Sequence, residues 1–444
     1  MKYFYVLLLT VLLISAAYCQ ENTESADIAK YSLNDCISMA IEHNSDLKQA
    51  KNQIISSKAG TEMAISDYYP KLSANNQTFE TKLHNNSNFE KGTSVDASLK
   101  LLDTGLRYLT VQSAKKSEKE TYCNVFRTYQ TVIYNVMVNF YNCQRYSELI
   151  ALKENSVKYY SQEEKEYNDK IAIGEKAPVD IYPIQASLAD SQVVLLSAKN
   201  LYENSKCDLL NLMGLEETGD YTFLPEPVDV SDINTDKDEI IKTALSSRSD
   251  LIAKEYAVSA ATTDKKKADM DLWPLLYINA EFTNDFNNTF ADTDKHSDGR
   301  IMGYISWNLF DGFNTQAKIK RSKSNLDNAK EDREKLKRDI ITKLKTLHNN
   351  ITINKEQLDA SKLGFDSADK NRDVQREKFS LNMNTNLDIL NAQMQYDTAM
   401  ANLINSKYDL KISYIDLDYQ MGLLGLDDER IISSNKDYIN KIAK

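Results

Sequence analysis

The chain contains two copies of one unit, and this duplication limits its possible folds more than any other feature. A shift of 204 residues places Ser45-Asp46-Leu47 on Ser249-Asp250-Leu251. A shift of 208 residues places Val179-Asp180-Ile181 on Leu387-Asp388-Ile389. Self-similarity at a nearly constant offset is typical of a repeated structural unit. We therefore expect two structurally equivalent halves.

Each half is predicted to be a helix–strand–strand–helix unit. Pro70 and its counterpart Pro274 each follow a helical segment, which a proline ends. Apolar and polar residues then alternate, as in a strand with one apolar face. The four strands are expected at about 71–82, 93–103, 275–284 and 300–310. The alternation is weak at 71–82, and this strand is predicted from its match to the strand at 275–284 in the second half.

After the second strand of each half, a helix of about 68 residues is predicted, about 100 Å long. It ends at a turn and is followed by a returning helix. Apolar and small residues recur every three or four positions along the returning helix, which indicates a coiled-coil seam. In the first half this seam is Ile181, Ile184, Leu188, Ser191, Leu195, Ala198, Tyr202, Ser205, Leu209 and Leu212.

The chain is expected to begin with a cleaved export signal. Lys2 precedes an apolar run that ends in small residues and is too short to span a bilayer comfortably. Cys19, just after this run, is alternatively a lipidation site, although the residue before it is the bulky Tyr18. The predicted division is a signal peptide (1–19), a first repeat (20–228), a linker (229–235), a second repeat (236–426) and a C-terminal tail (427–444).

Composition excludes several classes of protein. The mean hydropathy of −0.51 excludes a bundle of transmembrane helices. The net charge of −11 argues against a nucleic-acid partner, which would favour a basic surface. The sequence has no Gly-rich phosphate loop, metal-ligand cluster or nucleophile triad, so no enzyme activity, cofactor or metal is expected.

The strands pose a closure problem. A four-stranded sheet has two open edges, and lipid cannot satisfy the backbone groups at an edge. Closure therefore needs several chains, and three chains would give twelve strands. Aromatic residues near the predicted strand ends indicate a membrane-interface belt or, alternatively, ordinary strand core. They are Tyr68, Tyr69, Trp273, Trp307, Phe310 and Phe313.

The motifs at the unit boundaries resemble those of the TolC family of outer-membrane efflux proteins. They are Tyr-Tyr-Pro at 68–70, Leu-Trp-Pro at 272–274, Leu-Phe-Asp-Gly at 309–312 and the two helical turns. The resemblance implies a mainly α-helical protein with a small β part. Its fold would be a trimeric twelve-stranded outer-membrane β-barrel continued by a periplasmic coiled-coil tunnel.

The resemblance also implies a function. The homotrimer would be a passive exit duct of a tripartite efflux or type I secretion system, located in the outer membrane of a Gram-negative-type bacterium. An inner-membrane RND, ABC or MFS transporter would deliver substrate to it through a periplasmic adaptor (membrane fusion) protein.

The family's periplasmic aperture is carried over residue by residue. Two inward aspartates of the family match Asp388 and Asn391, and a basic residue of its turn matches Asn384. The second carboxylate and the basic charge are therefore missing here. Asp388 and its repeat partner Asp180 are interpreted either as pore-lining residues or as caps of the returning helices. Capping is favoured for Asp180.

The turns are the expected adaptor contacts. The residues concerned are Gly174, Glu175 and Lys176 in the first half and Asn382, Met383 and Thr385 in the second. The alternative is that these turns only connect helices.

The cysteines suggest one disulfide. If the first hairpin turns near residue 175, Cys143 lies beside Cys207. An exported protein can form such a bond. Small buried hydrophobic residues are the alternative interpretation of the cysteines.

A second class of protein also fits part of the pattern. An exported coiled-coil structural protein of the periplasm would explain the helices and the export signal. It would not explain the alternating segments at matched places in both halves. Such a rod would be soluble after fractionation, whereas a duct would need detergent.

Overall fold

The computed structural model describes residues 29–83, 86–216, 221–228, 236–288, 295–381 and 383–425. The expected signal peptide with Cys19, the linker 229–235, Asn382 and the tail 427–444 lie outside the described residues. The predicted duplication is confirmed, because both halves contain two short helices, two paired strands, a long helix and a returning helix in the same order.

The first half opens with two capped helices. The Ser32 side chain accepts a hydrogen bond from the Asp35 backbone N–H, and the Asp35 carboxylate accepts one from the Ser32 backbone. The Asn44 side chain caps the next helix in the same way, through the Asp46 and Leu47 backbone N–H groups. The elements are β1 (Ala29–Tyr31), α1 (Leu33–His43), α2 (Ser45–Ser66), β2 (Lys71–Leu83), β3 (Asn86–Leu102), α3 (Leu106–Ala172), a 3₁₀ helix (Pro178–Ile181), α4 (Tyr182–Met213) and β4 (Tyr221–Phe223).

The second half repeats this order without a counterpart of β1 and β4 among the described residues. Its elements are α5 (Lys237–Ser247), α6 (Ser249–Met270), β5 (Leu275–Asn288), β6 (Lys295–Ser306), α7 (Asn314–Ser380) and α8 (Asn386–Met421). The two long helices α3 and α7 have 67 residues each. At 1.5 Å per residue, each is about 100 Å long.

The four long strands form one antiparallel sheet in the order β2-β3-β5-β6. β3 and β5 pair across the two halves, with Asp96 opposite Glu281 and Ala97 opposite Ala280. β6 ends at Ser306, before the expected end at 310, because the chain turns there and the Trp307 indole N–H donates to the Leu272 carbonyl. Among the described residues, β2 and β6 pair on one side only.

The hydrophobic core lies where α1 and α2 pack on the middle of α3. One apolar stripe of α3 faces this core. Its members Tyr122, Val125, Tyr129, Val132, Ile133, Val136 and Phe140 are at most 6% exposed. The seam of α4 is confirmed along the helix, where Ile184, Ser191, Ala198, Ser205 and Leu209 are buried. No helix that the structure describes combines the length and apolarity needed to cross a membrane.

The expected Cys143–Cys207 disulfide is not formed in the structure. Cys143 is a thiol, 1% exposed, in the same core cluster as Cys36. Burial raises the pKa of the Cys143 thiol to about 12. Position along a hairpin does not specify how each helix is rotated, and rotation decides which side chain faces the core.

Candidate functional site

The tips of the two helical hairpins lie beside each other. Leu390 near the start of α8 packs in one buried cluster with Tyr167 near the end of α3 and Ile184 near the start of α4. Residues of both turns therefore lie at one end of the helical part. Both sets of candidate site residues are at this end.

The first tip is a glycine turn. Gly174 adopts a left-handed backbone with φ +77°, which glycine tolerates without strain. The backbone N–H groups of Gly174 and Glu175 donate to the carbonyls of Ile171 and Lys170. The Lys176 ammonium lies 5.9 Å from the centre of the Tyr167 ring. Gly174 and Glu175 are exposed, as a contact surface requires.

Asp180 lies on the 3₁₀ helix at the first tip. This helix begins with Pro178 at its first position, and no side chain caps it. Asp180 lies in the first turn of this helix, near the positive end of its dipole, and the favoured capping role stays a prediction. The residue is exposed. Burial raises the pKa of the Tyr167 phenol, and the nearby Asp180 charge adds to this shift.

At the second tip, the Asp388 carboxylate caps the returning helix through hydrogen bonds. Its Oδ2 atom accepts hydrogen bonds from the Thr385 backbone N–H at 2.9 Å and the Thr385 hydroxyl at 2.6 Å. This is a capping box at the start of α8. The hydrogen bonds from Thr385 lower the pKa of the Asp388 carboxyl, so the group is ionised at neutral pH. The Asp388 carboxylate therefore caps α8 and is also exposed to solvent.

The amides of the second tip are only partly satisfied. The Asn384 Nδ2 atom donates to the backbone carbonyl and to the Oε1 atom of Gln375, each at 3.0 Å. The Oδ1 atoms of Asn384 and Asn386 are buried and accept no hydrogen bond from the described residues. Asn391 is exposed on α8, one turn beyond Asp388.

Both tips also expose apolar side chains. Apolar residues concentrated on a surface favour contact with another molecule over contact with water. Between 57% and 70% of each residue is exposed at Ile173, Val179, Tyr182, Leu381, Met383 and Leu387.

One residue in this region was not predicted from the sequence. Asp397 is 7% exposed between α8 and α3, and its Oδ1 accepts a hydrogen bond from the Gln393 amide at 2.9 Å. Burial raises the pKa of the Asp397 carboxyl, although a hydrogen bond from Ser156 on α3 opposes the shift. The spacing of Leu390, Gln393 and Asp397 by three and four residues is the available signal, because it places all three on one helix face.

Metal binding has no candidate among the described residues. No group of three or more His, Cys, Asp or Glu side chains is placed to hold a metal ion in that part of the chain.

Two kinds of similarity identify the chain. The family model "Outer membrane efflux protein" matches it twice, at residues 36–215 and 240–423. TolC of Vibrio cholerae is 20% identical over 325 residues, which cover 72% of this chain and 74% of that protein. The efflux protein BepC of Brucella suis is also 20% identical, over 64% of this chain and 61% of its own length. The alkaline protease secretion protein AprF of Pseudomonas aeruginosa is 22% identical over 43% of this chain and 40% of its own.

Solved outer-membrane channels have the same fold. The CmeC channel of Campylobacter jejuni superimposes with a TM-score of 0.75 at 17% identity, over 91% of this chain and 89% of CmeC. The open MtrE channel of Neisseria gonorrhoeae gives 0.75 at 16% identity, over 88% and 89%. Because the family match covers both repeats and most of the chain, this protein belongs to the outer membrane efflux protein family and is a TolC-like protein of the outer membrane.

Proposed function

We propose that this protein is a passive exit duct through the outer membrane. The observation that carries the proposal is the sheet β2-β3-β5-β6, whose outer strands β2 and β6 each pair on one side only within the described part of the chain. Helices about 100 Å long continue from this sheet. In a membrane, an open edge leaves backbone groups unsatisfied, whereas a closed barrel satisfies them. The relatives found are channels and secretion proteins rather than enzymes.

A homotrimer is the assembly that fits best. Three copies of the sheet give a barrel of twelve strands, which leaves room for a lumen. Exposed apolar residues on the helix faces that point away from the chain's own core also support a homotrimer. Val193, Val194 and Leu196 of α4 and Leu363 of α7 are 45–69% exposed, as expected of surfaces that other copies cover.

The hairpin tips are proposed to bind a periplasmic adaptor. The support is the exposed apolar groups at both tips. A partner that brings apolar side chains would remove these groups from water. An inner-membrane pump would then supply substrate and energy, and the duct itself would supply neither.

Asp388 is proposed to line the periplasmic aperture while it caps α8. In a threefold assembly, three such carboxylates would form one ring, which favours cations over anions. Its exposure and lowered pKa support the proposal, because the ring would carry its charge at neutral pH.

Single-channel recording in planar bilayers tests the duct and the aperture separately. Wild-type protein should conduct and prefer cations. Asp388→Ala removes both the charge and the cap, whereas Thr385→Ala removes the cap and keeps the charge. If Asp388 lines the pore, cation preference decreases in Asp388→Ala and is retained in Thr385→Ala.

Two results would count against these proposals. Equal selectivity of the two variants would limit Asp388 to capping. A wild-type protein that gives no channels and stays soluble without detergent would instead support the exported structural rod.

A further inference from the structure

The joint between the sheet and the helices of the second repeat contains a cavity. The cavity has a volume of about 210 Å³. It is far larger than the ~10–15 Å³ that admits one water molecule. It is lined by Leu106, Met270, Asp271, Trp273, Leu275, Ser306, Asn308, Asp311, Asn314, Thr315 and Lys318.

At the matched joint of the first repeat, a guanidinium group pairs with the carboxylate. Arg107 donates from Nε to Oδ2 of Asp103 at 2.8 Å and from Nη2 to the Leu101 carbonyl at 3.2 Å. Its guanidinium carbon lies 4.9 Å from the centre of the Tyr68 ring. The Arg107 and Asp103 side chains are only 14% and 7% exposed. This is a partly buried ion pair that stacks on an aromatic ring.

The second repeat keeps the carboxylate and loses the cation. The shift of 208 residues places Asp103 on Asp311 and Arg107 on Thr315. The backbone geometry is the same, because the N–H groups of Arg107 and Thr315 each donate to the matched carboxylate at 2.9 Å. The Thr315 hydroxyl adds one hydrogen bond to Asp311 at 2.6 Å, but it brings no charge.

The charge balance of the two joints differs accordingly. In the first repeat, Asp67 pairs with Lys71 at 2.9 Å and Asp103 pairs with Arg107. In the second, the Lys318 ammonium lies 3.6 Å from Asp271, and among the described residues Asp311 has no ion-pair partner within 4.0 Å. The cavity therefore has two carboxylates and one ammonium. Trp273 adds an aromatic side chain of the kind that attracts a cation most strongly.

We propose that this cavity binds a small organic cation, a guanidinium or primary ammonium group, which pairs with Asp311 as Arg107 pairs with Asp103 in the first repeat. Two sources can supply such a group. One is a soluble cation. The other is the ethanolamine headgroup of a phospholipid, because exposed Leu309, Phe310 and Phe313 lie at the same end of the sheet. The inference does not depend on conduction, so it stands or fails separately from the proposed duct.

Thermal unfolding of the purified full-length protein tests the site. We expect 10 mM methylguanidinium chloride to raise the Tm by about 2–4 °C over equal sodium chloride. Asp311→Asn should abolish the rise because it removes the carboxylate. Thr315→Arg should also abolish it because the new guanidinium group pairs with Asp311 as Arg107 pairs with Asp103. Lys318→Gln should increase the rise, because it removes the competing ammonium.

Nanodiscs distinguish the two sources. If the wild-type Tm is higher in phosphatidylethanolamine than in phosphatidylglycerol, and Thr315→Arg removes the difference, the ammonium comes from lipid. If only methylguanidinium raises the Tm, the site takes a soluble cation. The proposal is wrong if neither methylguanidinium nor phosphatidylethanolamine raises the wild-type Tm. It is also wrong if they raise the Tm of Thr315→Arg as much as that of the wild type.

Discussion

At the residue scale, Gly214 and Gly422 end the returning helices of the two repeats in left-handed conformations, with φ +68° and +75°. A Cβ atom at Gly214 would lie 2.8 Å from the His43 carbonyl oxygen. At Gly422 it would lie 3.1 Å from the Cα atom of Arg248. The shift of 204 residues places Asn44 on Arg248, and His43 directly precedes Asn44. The two contacts therefore lie at neighbouring positions of the repeat. The two glycines thus allow the same close helix contact in both halves.

Gly214→Ala is therefore expected to destabilise the protein through two effects. The left-handed backbone costs about 1–2 kcal/mol for alanine. Displacing the His43 backbone adds about 1–3 kcal/mol. Gly174→Ala is the matched control, because Gly174 has φ +77° but nothing within 4 Å of its Cβ position. Thermal unfolding should show a clearly larger Tm loss for Gly214→Ala, and equal losses would remove the contact from the explanation.

Asp397 gives a pH prediction at the same scale. Burial raises the pKa of its carboxyl, so the folded protein binds this proton more tightly than the unfolded chain does. The sign follows from this difference: the ionised group lowers stability above its folded pKa, and the penalty is lost as pH decreases through that pKa. Lys153, Arg372 and the Ser156 and Gln393 hydrogen bonds partly offset the burial.

Asp397→Asn should therefore raise stability at pH 7.5, by about 1 kcal/mol. The gain should shrink at pH 4.5, where the wild-type carboxyl is more protonated. Asp190→Asn, at an exposed site on α4, is the control and should change little at either pH. The two variants are compared by Tm across this pH range. A loss of stability in Asp397→Asn at pH 7.5 would contradict the prediction.

At the element scale, a charged network fastens the second repeat onto α3. The Arg248 guanidinium pairs with Asp250 at 2.6 Å and donates to the Gln420 carbonyl at 3.0 Å. Arg127 of α3 lies 3.8 Å from the Asp250 carboxylate and 3.8 Å from the centre of the Tyr419 ring. One carboxylate therefore joins α3, the start of α6 and the end of α8.

Asp250→Asn should destabilise the protein by about 3–5 kcal/mol, because it leaves two partly buried guanidinium groups without their carboxylate. The repeat offers a matched control. Asp46 occupies the equivalent position but is exposed, and the neutral Asn44 replaces Arg248 there and donates to the Leu212 carbonyl. Asp46→Asn should therefore change the Tm by a small amount. Equal effects of the two variants in a thermal scan would contradict the network's role.

Elements were predicted better than the contacts between them. Strands and long helices followed from periodicity, which is a property of neighbouring residues. The burial of Asp397, the Cys143 environment and the cavity beside Thr315 depend on how each helix is rotated against its neighbours. The contrast between Arg107 and Thr315 was present in the sequence. Its consequence for the charge balance could be inferred only from the structure, in which Asp103 and Asp311 accept equivalent backbone hydrogen bonds.

At the scale of the whole molecule, the outer strands β2 and β6 allow a test of how the copies assemble. Within one chain, β2 and β6 are separated by three inter-strand spacings, about 14 Å. A disulfide needs Cα atoms within about 7 Å. Cysteines on β2 and β6 of the same copy therefore cannot join, and any bond between them must link two copies.

Closure of a barrel pairs β2 of one copy with β6 of the next, and the helix-side ends of these strands are Lys71 and Ser306. Lys71→Cys combined with Ser306→Cys should therefore give dimers and trimers, with trimers as the limit, after mild oxidation in membranes and non-reducing electrophoresis. Lys71→Cys combined with Gly299→Cys is the control, because Gly299 lies about 24 Å along β6 from Ser306. The wild type and each single-cysteine variant serve as further controls, because they show any cross-links that involve the native cysteines. A ladder that ends at dimers, or that appears equally in the control pair, would contradict closure by three copies.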